Sequence, residues 1–166
     1  MNRVVNILLS SLSYKEKFRK LLKIYRKMIH LYGNDMFCIL PDYTIQVPAS
    51  YKDGNNPYLS ELDVGGVTYD RPVSHSLRET SLIVEAESLQ YDDWQLCRFL
   101  AYCFNRLSEE DRILFICHYI LNNDEKALDH FKVKTRKMYM MIQKMDQDFL
   151  MSHGIEPMDG SLDYLQ

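Results

Sequence analysis

The residues best suited to chemistry lie between Asp124 and Met145. Over 126–144 the chain carries Lys126, Lys132, Lys134, Arg136, Lys137 and Lys144 against Asp129 alone, a local charge of +5. Arginine and lysine at the start of a helix can reach guanine edges or backbone phosphates, and a glutamine, here Gln143, can read adenine. The chemistry that fits these residue types is recognition of a polyanion rather than the making or breaking of bonds. A second concentration lies at 15–27, where Lys15, Lys17, Arg19, Lys20, Lys23, Arg26 and Lys27 meet only Glu16, a charge of +6. Both stand on an acidic background: residues 28–125 sum to −10, the last 22 residues to −5 and the whole chain to −3. Local field governs attraction to a nucleic acid more than net charge does, so the acidic total does not exclude one.

To aim such residues, a chain needs a short helix, a tight turn and a second amphipathic helix, and the spacing of 124–145 predicts that layout. Asp124 is expected to cap the first helix, which runs to about His130 with Ala127, Leu128 and Phe131 inward. Phe131 to Lys134 form the turn, with Val133 as its buried plug and Lys132 where glycine is commonest. Thr135 is expected to cap the second helix, with Met138, Met141 or Ile142, and Met145 inward. The outward set is then Thr135, Arg136, Lys137, Tyr139 and Met140, with Gln143 and Lys144 one turn on. Lys132 and Lys134 are placed for phosphates, which position a protein without carrying sequence information. Met140 suits a thymine methyl group or a protein partner.

The remaining elements follow from capping and periodicity. Ser13 and Glu16 form a capping box for a helix with Phe18, Leu21, Leu22, Tyr25, Met28, Ile29 and Tyr32 on one stripe, stopped at Gly33. Met36 to Leu40 and the alternating Tyr43, Ile45 and Val47 predict one or two short strands. Pro48, Gly54, Asn55, Asn56, Pro57, Gly65, Gly66 and Pro72 mark 48–72 as a loop or linker. Helices are expected over 75–89, from Asp92 or Asp93 through Leu107, and from Ser108–Asp111 through Leu121, broken by Asn122 and Asn123. Gly154 ends the last helix, and 156–166 reads as a flexible acidic tail.

Other chemistries find little support. Cys38, Cys97, Cys103 and Cys117 lack paired metal-ligand spacing, and Cys97, Cys103 and Cys117 fall where core residues are expected, so neither a zinc site with His118 nor any cofactor is predicted. His30, His75, His130 and His153 are scattered. Asp92–Asp93 and Glu109–Glu110–Asp111 are placed as helix-start acids rather than a catalytic pair. Gly65–Gly66 lacks the Gly-Lys-Ser/Thr ending of a phosphate loop. Val4, Val5, Ile7, Leu8 and Leu9 form an apolar patch too short for a membrane span and interrupted by Asn6 and Ser10. The expectation is a non-enzymatic cytoplasmic protein without catalytic residues or a membrane association.

The segment LSEEDRILFICHYILNNDEKALDHFKVKTRKMYMMIQKMDQDFL, Leu107 to Leu150, resembles region 4 of sigma factors and, more particularly, the ArpU and RinA type of phage late transcription regulators. Leu107, Asp111, Arg112 and Tyr119 match the start and end of that family's helix before the motif. Phe149, Gly154 and Ile155 match its last helix. Gly65–Gly66 resembles its glycine-containing middle, and the basic N-terminal helix suits its N-terminal half. Two positions depart: Leu128 stands where the family has a small residue, beside Ala127, and Val84–Glu85 only approximates its Val-Glu pair. The resemblance implies a phage- or prophage-encoded regulator, an activator of late genes, that binds a late promoter in the host cell and works with host RNA polymerase.

The expected fold is mainly α: a basic N-terminal helix and short strand region over 1–47, a linker over 48–72, and a sigma region-4-like helical domain over 73–155 with its helix-turn-helix at 124–145. The expected partner is double-stranded DNA. Lys15, Arg19, Lys20, Lys23, Arg26 and Lys27 are candidates for a further contact with DNA or polymerase, and exposed acids of Glu109 to Ile120 for a polymerase contact. A palindromic operator would require a homodimer, whereas region-4-like proteins also bind as monomers. Two alternatives remain open: a protein-interaction module or inhibitor built on the same helical body, whose acidic middle docks a basic partner, and a DNA-packaging subunit, which requires a large ring.

Overall fold

The computed structural model describes residues 2–51 and 91–156, and these are mainly helical with two short strands. The expected helix over 75–89, most of the 48–72 loop, Gly65–Gly66, Val84–Glu85 and the tail beyond Glu156 lie outside the described residues.

The first helix, α1 (Asn2–Leu8), is one that periodicity missed. Seven residues are too few to be stable alone, and α1 is held by packing, with Val4 and Ile7 buried while Val5 and Leu9 face outward. Helix α2 (Tyr14–Tyr32) begins as expected, the Ser13 hydroxyl accepting the Glu16 N–H at 3.2 Å. Its buried stripe holds Phe18, Leu21, Leu22, Ile24, Tyr25 and Met28, with Ile29 and Tyr32 half-buried. Gly33 ends it by close approach rather than by a left-handed turn: its φ is −57°, and a Cβ there would sit 2.4 Å from the Ile29 carbonyl oxygen. The Tyr32 carbonyl then takes the N–H groups of Asp35, Met36 and Phe37, reversing the chain.

Strands β1 (Cys38–Ile39) and β2 (Ile45–Gln46) pair antiparallel, Cys38 opposite Gln46 and Ile39 opposite Ile45. Asp42 organises the turn, accepting from the Thr44 N–H and hydroxyl at 3.0 and 2.6 Å. Asn105 clamps the hairpin to the helices: its side chain accepts from the Ile45 N–H at 2.8 Å and donates to the Ile45 carbonyl at 2.9 Å.

Helix α3 covers 91–105 and buries Trp94, Leu96, Cys97, Leu100, Ala101, Cys103 and Phe104. Asp92 and Asp93 are not its cap, because both are already helical. Asp93 is instead a tie between elements, accepting from Arg3 of α1 at 2.7 Å and from the Tyr32 hydroxyl of α2 at 2.6 Å. Helix α4 (Glu109–Phe115) is capped by Ser108, whose hydroxyl accepts the Asp111 N–H at 3.2 Å, and its first-turn acids oppose the helix dipole. It continues as a π turn (Ile116–Ile120), closed by the Leu121 N–H on the Ile116 carbonyl. Two more helices follow, α5 (Asp124–Phe131) and α6 (Thr135–Ser152), and Gly154 at φ 81° ends the last.

One apolar cluster joins these elements, running from Val4 to Ile155. Tyr25 lies at its centre, 5.3–6.2 Å between ring centroids from Phe149, Phe115, Phe37 and Phe104. The basic helix α2 therefore shares a core with α3, α4 and α6. The Tyr25 hydroxyl reaches the Leu100 carbonyl at 2.8 Å and His153 Nε2 at 2.7 Å, while His153 Nδ1 faces the Phe149 carbonyl at 2.7 Å. Burial pushes the His153 imidazole down to about 4, so it is neutral at neutral pH. The short Nδ1–carbonyl contact places its one proton on Nδ1, so Nε2 is an acceptor that competes with the Leu100 carbonyl for the single proton of the Tyr25 hydroxyl.

Candidate nucleic-acid interface

Helix α5, a three-residue turn and α6 occupy the expected span, but both caps differ by one residue from the sequence reading. Asn122 is left-handed at φ 50°, which brings the following Asn123 to the capping position. The Asn123 side chain accepts the Lys126 N–H at 3.1 Å. Asp124, expected as the cap, is the first helical residue, and its carboxylate lies 2.7 Å from His118 Nδ1. Likewise Lys134, extended at φ −88° and ψ 162°, stands at the capping position of α6, and Thr135 is already helical.

The turn explains the register. Lys132 is left-handed, at φ 54° and ψ 46°, and its N–H returns to the Leu128 carbonyl. This is the position where glycine is commonest, because a Cβ opposes the left-handed region by roughly 1–2 kcal/mol. Val133 is half-buried against the core, as a plug should be. Ala127 is fully buried and Leu128 half-buried, so the small side chain of the pair is the one that α5 turns inward.

Helix α6 divides cleanly. Met138, Ile142, Met145, Phe149 and Leu150 are buried. Thr135, Arg136, Lys137, Tyr139 and Met140 are exposed, together with Lys132 and Lys134, and Gln143 is half-buried. The first turn of α6 has no acidic residue and no side-chain cap, so its backbone N–H groups and positive dipole end are open to an anion.

Lys144 is engaged elsewhere. It donates to Asp148 at 3.0 Å and lies 3.9 Å from the buried carboxylate of Asp111. Burial, with the neighbouring Asp148, pushes Asp111 up to about 6, against the opposing pull of Lys144 and Ser108. On α2, Arg19, Lys20, Lys23 and Lys27 are exposed and Lys15 is half-buried. Arg26 donates twice to the Tyr119 carbonyl, at 3.0 and 2.9 Å.

Sequence reasoning missed the pair that fixes α6 from beneath. Asp146, counted there only as one acid of the last 22 residues, is 1% exposed, and the Tyr119 hydroxyl donates to it. Its spacing, four residues after Ile142 and eight after Met138, could have placed it on the inner stripe. Burial pushes the thiols of Cys97 and Cys103 up to about 12 and about 11. Among the described residues no three side chains form a metal-binding group, and no helix is long and apolar enough to cross a membrane.

No protein-family model matches the chain, and neither a curated protein nor a solved structure matches it.

Proposed function

We propose that the chain is a double-stranded-DNA-binding regulator whose first two turns of α6 enter a major groove, and that it acts by binding rather than catalysis. One observation carries the reading. The N-terminus of α6 has neither acid nor side-chain cap, is framed by Lys132 and Lys134, and presents Arg136, Lys137, Tyr139 and Met140 to solvent on the face opposite its core residues. Lys132 adds weight, since a lysine held in a glycine-favouring conformation is a strained choice that phosphate contact would explain. On the resemblance to ArpU- and RinA-type regulators, the target would be a phage late promoter and the protein partner host RNA polymerase. The exposed side of α2 supplies a further cationic surface for either.

The test is fluorescence anisotropy of a labelled mixed-sequence duplex across a salt series, wild type beside Arg136→Ala/Lys137→Ala. Four cations at phosphates would give a log–log salt slope of roughly −3 to −4. The double variant should lose most of the affinity and flatten the slope by about one to two. Absence of binding at low salt refutes the reading. Such an absence would favour a protein-interaction module, for which the large exposed side chains of Tyr139 and Met140 at the centre of the face are the supporting observation.

A further inference from the structure

The exposed face of α3 carries a feature that the α6 reading does not use. Tyr91, Gln95, Arg98 and Tyr102 recur at three- and four-residue spacing on one side of the helix, and Arg106 follows in the turn just past its end. The Arg98 guanidinium lies over the Trp94 ring at 4.9 Å, and that of Arg106 over the Tyr102 ring at 5.4 Å. Residues 94–108 contain these two arginines and no acid. Among the described residues neither guanidinium has an ion-pair partner. Stacking on an aromatic face preorganises the planar group and leaves its edge N–H fork free for a carboxylate. Gln95, Arg98, Phe99 and Tyr102 line an open depression of about 380 Å³, to which Phe99 and Tyr102 contribute apolar rings.

We propose that this face docks an acidic protein segment in which an apolar side chain is flanked by two carboxylates. Charge complementarity identifies the occupant: two preorganised cations, unpaired among the described residues, with an apolar slot beside them. The seven helical steps from Arg98 to 105 rise about 10.5 Å at 1.5 Å per residue and Arg106 follows directly, so two carboxylates eight residues apart on a partner helix would match the pair. A nucleic acid strand would place bases on Tyr102 and phosphates at the arginines instead, an outcome that a matching loss of duplex-DNA affinity in the arginine variant would reveal. The proposal stands apart from the DNA reading of α6.

The probe is a labelled helical peptide with a leucine four residues from a glutamate on either side, beside a control with both glutamates replaced by glutamine. Binding to the full chain is read by peptide anisotropy and by emission of Trp94, the chain's single tryptophan. The glutamate peptide should bind saturably and shift that emission. The glutamine peptide, and the variant Arg98→Gln/Arg106→Gln, should each bind at least tenfold more weakly, while Arg136→Ala/Lys137→Ala binds as wild type does. Equal binding of both peptides, no binding of either, or full binding by the arginine variant would overturn the proposal. So would a loss of duplex-DNA affinity in that variant as large as its loss of peptide affinity. Should circular dichroism show the variant unfolded, Arg98→Lys/Arg106→Lys replaces it. That variant keeps the charge without the stacked fork; an intermediate loss supports the proposal and unchanged binding refutes it.

Discussion

The Tyr119 hydroxyl donates to the buried carboxyl of Asp146, 2.7 and 2.9 Å from its two oxygens, and so fastens the π turn to α6. The Tyr119 carbonyl meanwhile accepts Arg26 of α2. One residue in an irregular turn thus joins the basic N-terminal helix to the helix that carries the candidate interface. Burial pushes Asp146 up to about 7, against the Tyr119 hydrogen bond, which holds it down.

Asp146 gives stability a pH slope. The folded state keeps a proton that the unfolded carboxyl releases near pH 4, so stability falls as pH rises between about 4 and 7. Asp111, raised to about 6, acts in the same direction. His153, lowered to about 4, acts in the opposite one: unfolded imidazole binds a proton below about 6.5, so stability rises with pH from about 4 to 6.5. Asp146→Asn removes the first slope and should tilt the profile toward neutral pH, read from urea midpoints at pH 4.5, 6 and 7.5. An unchanged profile would mean that Asp146 is ionised in the folded protein throughout.

Tyr119→Phe removes the one side-chain donor that Asp146 has among the described residues. Leaving a buried polar group unmatched costs about 1–3 kcal/mol, and the penalty here should grow above pH 7, where the carboxyl ionises. A loss that is constant from pH 5 to pH 8 would argue against a carboxyl partner that titrates in this range.

Lys132→Gly relieves a left-handed backbone and should raise stability by roughly 0.5–1 kcal/mol in urea denaturation. It should also weaken duplex binding and make the salt slope shallower by about one phosphate's worth. A destabilised glycine variant would show that the lysine side chain holds the turn rather than faces an anion.

Ala127 is fully buried where α5 meets the core. Ala127→Leu should cost about 1–3 kcal/mol by overpacking, whereas Leu128→Met, at the half-buried neighbour, should cost well under that. Equal effects at the two positions would contradict the inward turn of Ala127.

Tyr25→Phe removes the one hydroxyl proton for which the Leu100 carbonyl and His153 Nε2 compete. A destabilisation of roughly 1–3 kcal/mol is expected, with the aromatic packing preserved. A neutral substitution would mean that neither acceptor depends on that hydroxyl.

Much of the helical layout was legible in the chain. Ser13, Ser108 and Gly154 mark their helix ends because capping is a local contest for backbone N–H and carbonyl groups. The stripes Phe18–Met28 and Met138–Met145 follow from a 3.6-residue period. The paired short strands were signalled by the alternation at Tyr43, Ile45 and Val47. The basic, acid-free start of α6 is likewise a property of composition alone.

The tertiary structure decided what depends on distant partners. Helix α1 is too short to signal itself and forms because Val4 and Ile7 have a core to enter. Asp93 looked like a cap until Arg3 and Tyr32, far away in sequence, were brought to it. The caps of α5 and α6 moved by one residue because left-handed Asn122 and Lys132 set the turns, and backbone hand is not written in a lysine. Asp146 and His153 read as scattered polar residues in one dimension, Tyr25 as one more residue of an apolar stripe, and Tyr119 as a family-matched aromatic. Their meaning is a matter of burial, since removing water from a carboxyl or an imidazole forces each to find a partner, and only the folded chain supplies one.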